Sequence, residues 1–544
     1  MGLRKVVSLF ALALASLVGV ASASAKDFYI ADNSSRTSGG TSCGNALSVA
    51  WFNNPSSWGT ASNQISAGTT VFLCGRFQGT PGQQLLVAQG DGTASAPITI
   101  KFTTGAILSA PYWSGLGAIY IQGRSHITVD GGTNGIIENT ANGTGRAYRQ
   151  NSVAVHAPSC NNCTVQNLTI QNLYVRTSAT DTAATHSVNC VYSLNANNFT
   201  INHITCHDAS WAIASNGNNF TLENSDIYHV DHGLASGVSG TMGNYSIHNN
   251  HFHDFANWDS PTNTYHHDAI HIWGQGGGRF SGGAIYNNTF DGDFGVNVTG
   301  HIFLQDSVSH VAVYNNVFST PANRTINSLW FAASSTSLPG GPATGNSAYN
   351  NSINAGGHRT GTALFVASQL SFTAVNNVLA GGSSNITIQG GGTRSSTGIN
   401  NNVYRDLFAE FGDLNTFGFQ GHTYHVLSLW RAACGCDGAS KLITGAQTTA
   451  FSPVTPGAAV TVAAASVTSP VDASASAPVA SDAVNMAVIS TPTTKEPDLD
   501  LLYTVGEGNG LNLSEVAVDD LAPLAFDKNG LTRPASGPWN VGPF

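Results

Sequence analysis

The chain is predicted to be an all-β solenoid, a polypeptide wound into stacked coils, and three observations carry that expectation. A short phrase recurs, strand residues followed by Asn-Asn or Asn-X: Ile201-Asn202, Leu222-Glu223-Asn224, Ile247-His248-Asn249-Asn250, Ile285-Tyr286-Asn287-Asn288, Val313-Tyr314-Asn315-Asn316, Tyr349-Asn350-Asn351, Val375-Asn376-Asn377 and Ile399-Asn400-Asn401. The intervals between its anchors are 21, 25, 38, 28, 36, 26 and 24 residues. A floor near 21 with irregular excess is what one coil per repeat gives when loops are let out on one side. Finally, only 9% of the 544 residues are charged while 41% are hydrophobic and 60 are Gly. That is too little Lys and Glu for a helical solenoid, whereas Thr, Val, Ile, Phe, Tyr and Asn are strand and turn material.

Asn at one bend has a physical reason. It tolerates left-handed backbone angles, and its amide can bond the backbone of its own turn. Coil stacked on coil, such amides form a ladder.

In chain order, Arg4 and Lys5, the apolar run Val6 to Val20 and Ala21-Ser22-Ala23-Ser24-Ala25 read as an export signal over 1–25, with maturation near Lys26. The run is too short to span a bilayer and no other replaces it, so no membrane association is expected after cleavage. Residues 26–100, with Asp27-Phe28-Tyr29-Ile30-Ala31 and Thr70-Val71-Phe72-Leu73-Cys74-Gly75, lack the Asn phrase and are assigned as a cap over the first coil. Residues 101–443 form the coil array, its wording changing after Phe408 to a segment with Trp430, Cys434 and Cys436. Residues 444–544 form a tail whose Ala/Ser/Thr/Val/Pro-rich part is either linker or loosely packed strand. All eight cysteines lie beyond the signal, and an even count in an exported chain favours disulfides. Cys190 with Cys206 suits neighbouring coils, and Cys43 with Cys74 could clamp the cap. A net charge of −10 without a basic run argues against nucleic acid.

The cap phrases Phe28-Tyr29-Ile30-Ala31 and Gly68-Thr69-Thr70-Val71-Phe72-Leu73, the Asn-marked coils and the closing Asp527-X-X-Gly530-X-X-Arg533-Pro534 resemble exported right-handed parallel β-helix proteins of the pectate-lyase-like superfamily. The resemblance implies three parallel sheets per coil, with the Asn bend between the second and third. It also implies a groove along the first sheet and, most often, polysaccharide cleavage or epimerisation; some members are adhesins or tailspikes.

Aligning the coils on their Asn bends places first-sheet strands at 211–215, 232–236, 268–272, 302–305, 328–331, 363–366 and 385–388. With Ile213, Leu234, Ile270, Ile302, Leu329 and Leu364 inward, alternation puts Ala214, Ala235, His271, Phe303, Trp330 and Phe365 outward. Stacked rings suit sugar faces, unless a loop or the tail covers them.

Ten of the 18 histidines fall between 203 and 271. His266-His267-Asp268-Ala269-Ile270-His271 is the densest run; Asp231-His232-Gly233 occupies the same place one coil earlier, and His207-Asp208 one earlier again. Imidazole can take or give a proton near neutrality, and an Asp can hold it in one tautomer. His267 and His271 are expected outward, flanking Ala269, as acid and base. Asp231 and Asp268 orient them or bind a cation, and His232 joins the catalytic set. The alternative is that these are hydrogen-bonded stack residues like His203, His229 and His248. Consecutive strand residues point apart, so His266, His267, Asp268 and His271 are not assigned to a metal; no cofactor is called for, and calcium is left open.

No lysine occurs between Lys101 and Lys441, which removes a lysine base from the array. Arg324 and Arg359 are placed to neutralise a uronate carboxylate, with His266, Phe303, Trp330 and Phe365 lining the substrate. The Asn-Thr-Asp, Gly-His-Gly and Arg-Ile-Lys signatures of polygalacturonase-like hydrolases are missing. The expectation is a secreted monomer acting on an extracellular, uronate-containing polysaccharide by β-elimination or related proton abstraction. Hydrolysis by Asp231 and Asp268, or glycan binding without catalysis, are the alternatives.

Overall fold

A computed structural model describes residues 26–443, apart from 33–38, 182–186, 262–265, 322–323, 325, 357–360, 391–397 and 406–416. The proposed signal, the tail from 444 onward and Arg359 lie outside the described residues.

Strands pair in parallel with their equivalents one coil on, forming three long walls. The first runs through Thr205–Ser215, Asp226–Val238, His267–Gly274, Val298–Gln305, Asn327–Ala332, Thr362–Ala367 and Ser384–Gln389. The second runs through Thr241–His248, Arg279–Tyr286, Val308–Tyr314, Asn346–Tyr349, Phe372–Val375 and Ile399–Asn400. The third runs through His251–His253, Thr289–Asp291, Val317–Ser319, Ser352–Asn354, Val378–Ala380 and Val403–Arg405. The chain is a parallel β-helix.

The Asn phrase is the corner between the second and third walls, and its two asparagines divide the work. The first of each pair (Asn249, Asn287, Asn315, Asn350, Asn376 and Asn401) turns the corner at φ between 49° and 57°, the left-handed region that Asn tolerates. The second is buried and carries the ladder. Asn250 Nδ2 donates to Asn288 Oδ1, Asn288 to Asn316, Asn316 to Asn351, Asn351 to Asn377 and Asn377 to Asn402, each at 2.9–3.0 Å. Their backbone bonds reach across coils, as from Asn288 Nδ2 to the Ile247 carbonyl, more than into their own turn. Ser225 N caps one end of the ladder and Ser440 Oγ the other. In the coil of Ile201 it is His203 that takes the left-handed corner, with Asn167 at the same place one coil earlier.

Inside the walls an unbroken apolar core runs from Phe28 to Trp430. The parallel ladder crosses residue 100 without a break, since Thr70–Leu73 pairs with Ile98–Phe102 and that strand with Ile127–Asn139. At the far end a hairpin, Phe417–Phe419 with His422–Tyr424, and the helix Leu427–Cys434 cover the last coils, Trp430 stacking on Phe417 at 5.2 Å. Cysteines pair as 43–74, 160–163, 190–206 and 434–436. No helix among the described residues is long and apolar enough to cross a membrane.

Candidate functional site

The first wall has the register expected from the coil alignment. Ile213, Leu234, Ile270, Ile302, Leu329 and Leu364 stand in one buried column, and Ala214, Ala235, His271, Phe303, Trp330 and Phe365 in the next. His271, Phe303, Trp330 and Phe365 follow one another at centroid spacings of 4.6, 4.8 and 5.3 Å, the first pair stacked, the second tilted and the third edge to face. Phe303 is largely covered by its neighbours; Trp330 and Phe365 are half-buried. The Trp330 indole N–H finds no partner among the described residues.

Alternation fails at the histidines. Two consecutive residues, Ala269 and Ile270, both enter the core. Asp268 and His271, three residues apart, therefore share the outward side that His267 and Ala269 were expected to occupy. His267 is fully buried instead, Nδ1 3.1 Å from Asp231 Oδ1 and Nε2 3.1 Å from Asp259 Oδ1. It cannot meet a substrate; its place is in a relay that ends at His232, whose Nδ1 lies 3.1 Å from Asp231 Oδ2.

On the outward side four residues from two adjacent coils converge. Asp268 Oδ2 lies 3.4 Å from His232 Nε2, 3.5 Å from His266 Nε2 and 3.6 Å from His271 Nδ1. All four ligand atoms lie within 4.8 Å of one another. His266 and Asp268, two residues apart, share a side as strand alternation requires, and the two consecutive inward residues Ala269 and Ile270 bring His271 round to join them. Asp268 Oδ1 accepts from Gly300 N at 3.0 Å, while Oδ2, in a side chain with no exposure, accepts no hydrogen bond among the described residues. His271 Nε2 faces Gln305 Oε1 at 3.1 Å. Only His266 is open to solvent, its side chain 46% exposed.

Burial and charge push these groups apart in proton affinity. Burial presses His232 down, but the Asp231 and Asp268 carboxylates outweigh it and carry the imidazole up to about 10. Burial lowers His266, with Asp268 pulling partly back, and holds His271 well below the usual histidine range, reinforced by His232. Burial also raises Asp268 against its histidines.

Trp211 and Trp273 complete the site. Trp211 packs 5.5 Å from His232, Trp273 4.5 Å from His271, and the two indoles meet edge to face at 6.4 Å. Trp273 follows His271 by two residues, so alternation alone identifies it. Trp211 heads the column that continues through His232 and Asp268. Gln305, two residues after Phe303 on the next strand and paired with Trp273, is reached by the same alternation, whereas Asp259 gives no sequence signal because its pairing depends on loop folding.

Arg324, expected to hold a uronate, is engaged by a carboxylate of the protein itself. Its Nε and Nη2 fork onto Asp293 at 2.5 Å each, filling the face a uronate would need. His207 and Asp208 also stand apart: Asp208 turns a corner at φ 54°, and His207 stacks on Tyr228 at 4.7 Å.

A second His/Asp group sits on the third wall of the same coils. His251 Nε2 bonds Asp291 Oδ1 at 2.7 Å, and His253 bonds Asp226 Oδ1 at 3.1 Å and Asp254 Oδ2 at 2.8 Å.

No family model and no curated protein matches the chain. Among solved structures it is similar to the Dettilon tailspike protein, at 13% identity and a TM-score of 0.36 over 65% of this chain and 62% of that one. It is also similar to the PL6-family alginate lyase AlyGC, at 12% and 0.34 over 73% and 54%. A third likeness is to an exopolygalacturonase from Thermotoga maritima, at 11% and 0.30 over 66% and 85%. The chain thus spans less than two thirds of the tailspike and of the alginate lyase. Its winding rests on its own strand register, and the chemistry open to it on its own side chains.

Proposed function

We propose that this protein is a secreted enzyme acting on an extracellular, uronate-containing polysaccharide by proton abstraction and β-elimination. The column His271–Phe303–Trp330–Phe365 carries the reading. A track of rings at coil spacing suits a run of sugar faces, and it leads into the His232/His266/Asp268/His271 centre.

His266 is the base this geometry favours: it alone of the four is substantially exposed, and burial keeps it neutral. Its imidazole takes the proton beside the sugar carboxylate. The electron pair left behind forms the double bond and expels the β-oxygen, which departs with a proton returned by the same imidazolium. Positive charge near the carboxylate is needed to acidify that proton; with Arg324 engaged by Asp293, His232 and the centre around it are the source. Hydrolysis between Asp231 and Asp268 has less support, because both carboxylates are buried and neither can meet a glycosidic oxygen.

The test is incubation with a panel of uronate polymers, following the ultraviolet absorbance of an unsaturated product. Reducing ends without absorbance indicate hydrolysis. Binding without product across the panel leaves a glycan-binding protein on the same track.

A further inference from the structure

We propose that His232, His266, Asp268 and His271 bind one divalent first-row transition-metal ion of the zinc class. The first support is spacing. Ligand atoms at the corners of a tetrahedron with metal bonds of about 2.1 Å stand roughly 3.4 Å apart. Asp268 Oδ2 stands 3.4, 3.5 and 3.6 Å from the three imidazole nitrogens. These separations are too long for hydrogen bonds and too short for unrelated neighbours.

The second support is independent of spacing. A carboxylate oxygen without exposure or a hydrogen-bond donor is costly, and Asp268 Oδ2 is in that state, aimed at the point the three imidazoles surround. Were the group a plain ion-pair network, at least one imidazole N–H would close onto that oxygen, as happens on the third wall at 2.7 to 3.1 Å.

The surrounding bonds complete the argument. With Nδ1 of His232 on Asp231 and Nε2 of His271 on Gln305, the rings are held with His232 Nε2 and His271 Nδ1 turned inward, where a bound metal would take the place of any proton on those nitrogens. An outer carboxylate or amide that orients a ligating imidazole is the usual support of a metal site. Three nitrogens and one oxygen suit zinc and its neighbours; calcium asks for six to eight oxygens and does not fit. Three of the ligands are buried and His266 is the outer one, so a sugar carboxylate can replace it at the metal and free it as base. That last step rests on the function proposed above; the metal site does not.

The experiment is to strip the purified protein with a chelator, load it with zinc, dialyse, and measure bound metal by mass spectrometry, with Co2+ as spectroscopic stand-in. One equivalent is expected, with the visible absorption of a tetrahedral Co2+ centre. His271→Ala and Asp268→Asn should each weaken binding at least tenfold, while Asp226→Asn on the third wall should leave it unchanged. Wild-type protein that retains no zinc overturns the proposal, as does stoichiometric zinc that survives both first-wall substitutions or is lost with Asp226→Asn. If the first-wall variants fail to fold, the wild-type Co2+ spectrum decides, and a weak octahedral-type spectrum or none overturns the site. Zinc bound without product from any glycan keeps this proposal and sinks the proposed function; product formed by protein that binds no zinc does the reverse.

Discussion

Two histidine–aspartate clusters lie on the same pair of coils, one on the first wall and one on the third, and they are built to opposite ends. On the third wall every close pair has collapsed to hydrogen-bonding distance: His251 onto Asp291, His253 onto Asp226 and Asp254. On the first wall three imidazoles stop 3.4 to 3.6 Å short of one carboxylate oxygen, His232 held by Asp231 and His271 by Gln305. The third wall is satisfied by itself. The first wall lacks that closure, which is what the proposed metal site rests on, and residue types alone do not separate the two.

The sharpest way to break that comparison is a matched pair of substitutions. Asp268→Asn keeps an oxygen for Gly300 N but removes the charge at the centre; activity on the uronate substrate should fall about a thousandfold with the fold retained. Asp226→Asn should leave turnover within a factor of about two, being remote from the track. Equal losses in both variants would erase the distinction.

A second contrast lies in pH. His301, on a first-wall strand but turned inward against Phe290, Phe294 and Phe318, has neither ring nitrogen bonded among the described residues, and burial lowers it to about 3. Between the unfolded value of 6.5 and about 3 the unfolded chain holds the extra proton, so stability is lost as pH falls, by about 1.4 kcal/mol per unit. His301→Phe should remove one proton's worth of that slope, read by denaturant unfolding from pH 7 to 4. An unchanged slope would mean that this imidazole finds a partner.

Smaller is the effect of the track. Trp330→Ala should weaken oligosaccharide binding about tenfold, or ~1.4 kcal/mol, measured by calorimetry; a substitution without effect would place the glycan elsewhere. Smallest is the third wall's own contribution. Burial lowers His251, yet Asp226 and Asp291 carry it up to about 10, so its stabilisation is full below 6.5 and lost as pH rises through about 10. Both partners are well exposed, so Asp226→Asn should cost under about 1 kcal/mol near neutrality. Part of the alkaline loss should vanish with it.

The winding was legible because it is periodic. Each coil must return to its starting point, so the Asn corners set the phase and the phase set the register. The column Ile213, Leu234, Ile270, Ile302, Leu329 and Leu364 is the one the alignment predicts. The 190–206 and 43–74 disulfides follow from the same proximity. The histidine run identified the neighbourhood of the site but not its members. Strict alternation exposes His267 and hides Asp268, whereas the consecutive inward residues Ala269 and Ile270 reverse the two. Partners supplied by loops were out of reach: Asp259 for His267 and Asp293 for Arg324 are set by how the loops fold back.

The most direct test of the first-wall centre is anomalous diffraction at the zinc edge from crystals of metal-loaded protein. A single strong peak about 2 Å from His232 Nε2, Asp268 Oδ2 and His271 Nδ1 is the predicted result. A first wall without signal, or a peak lodged instead among Asp226, His251 and His253, would contradict the account.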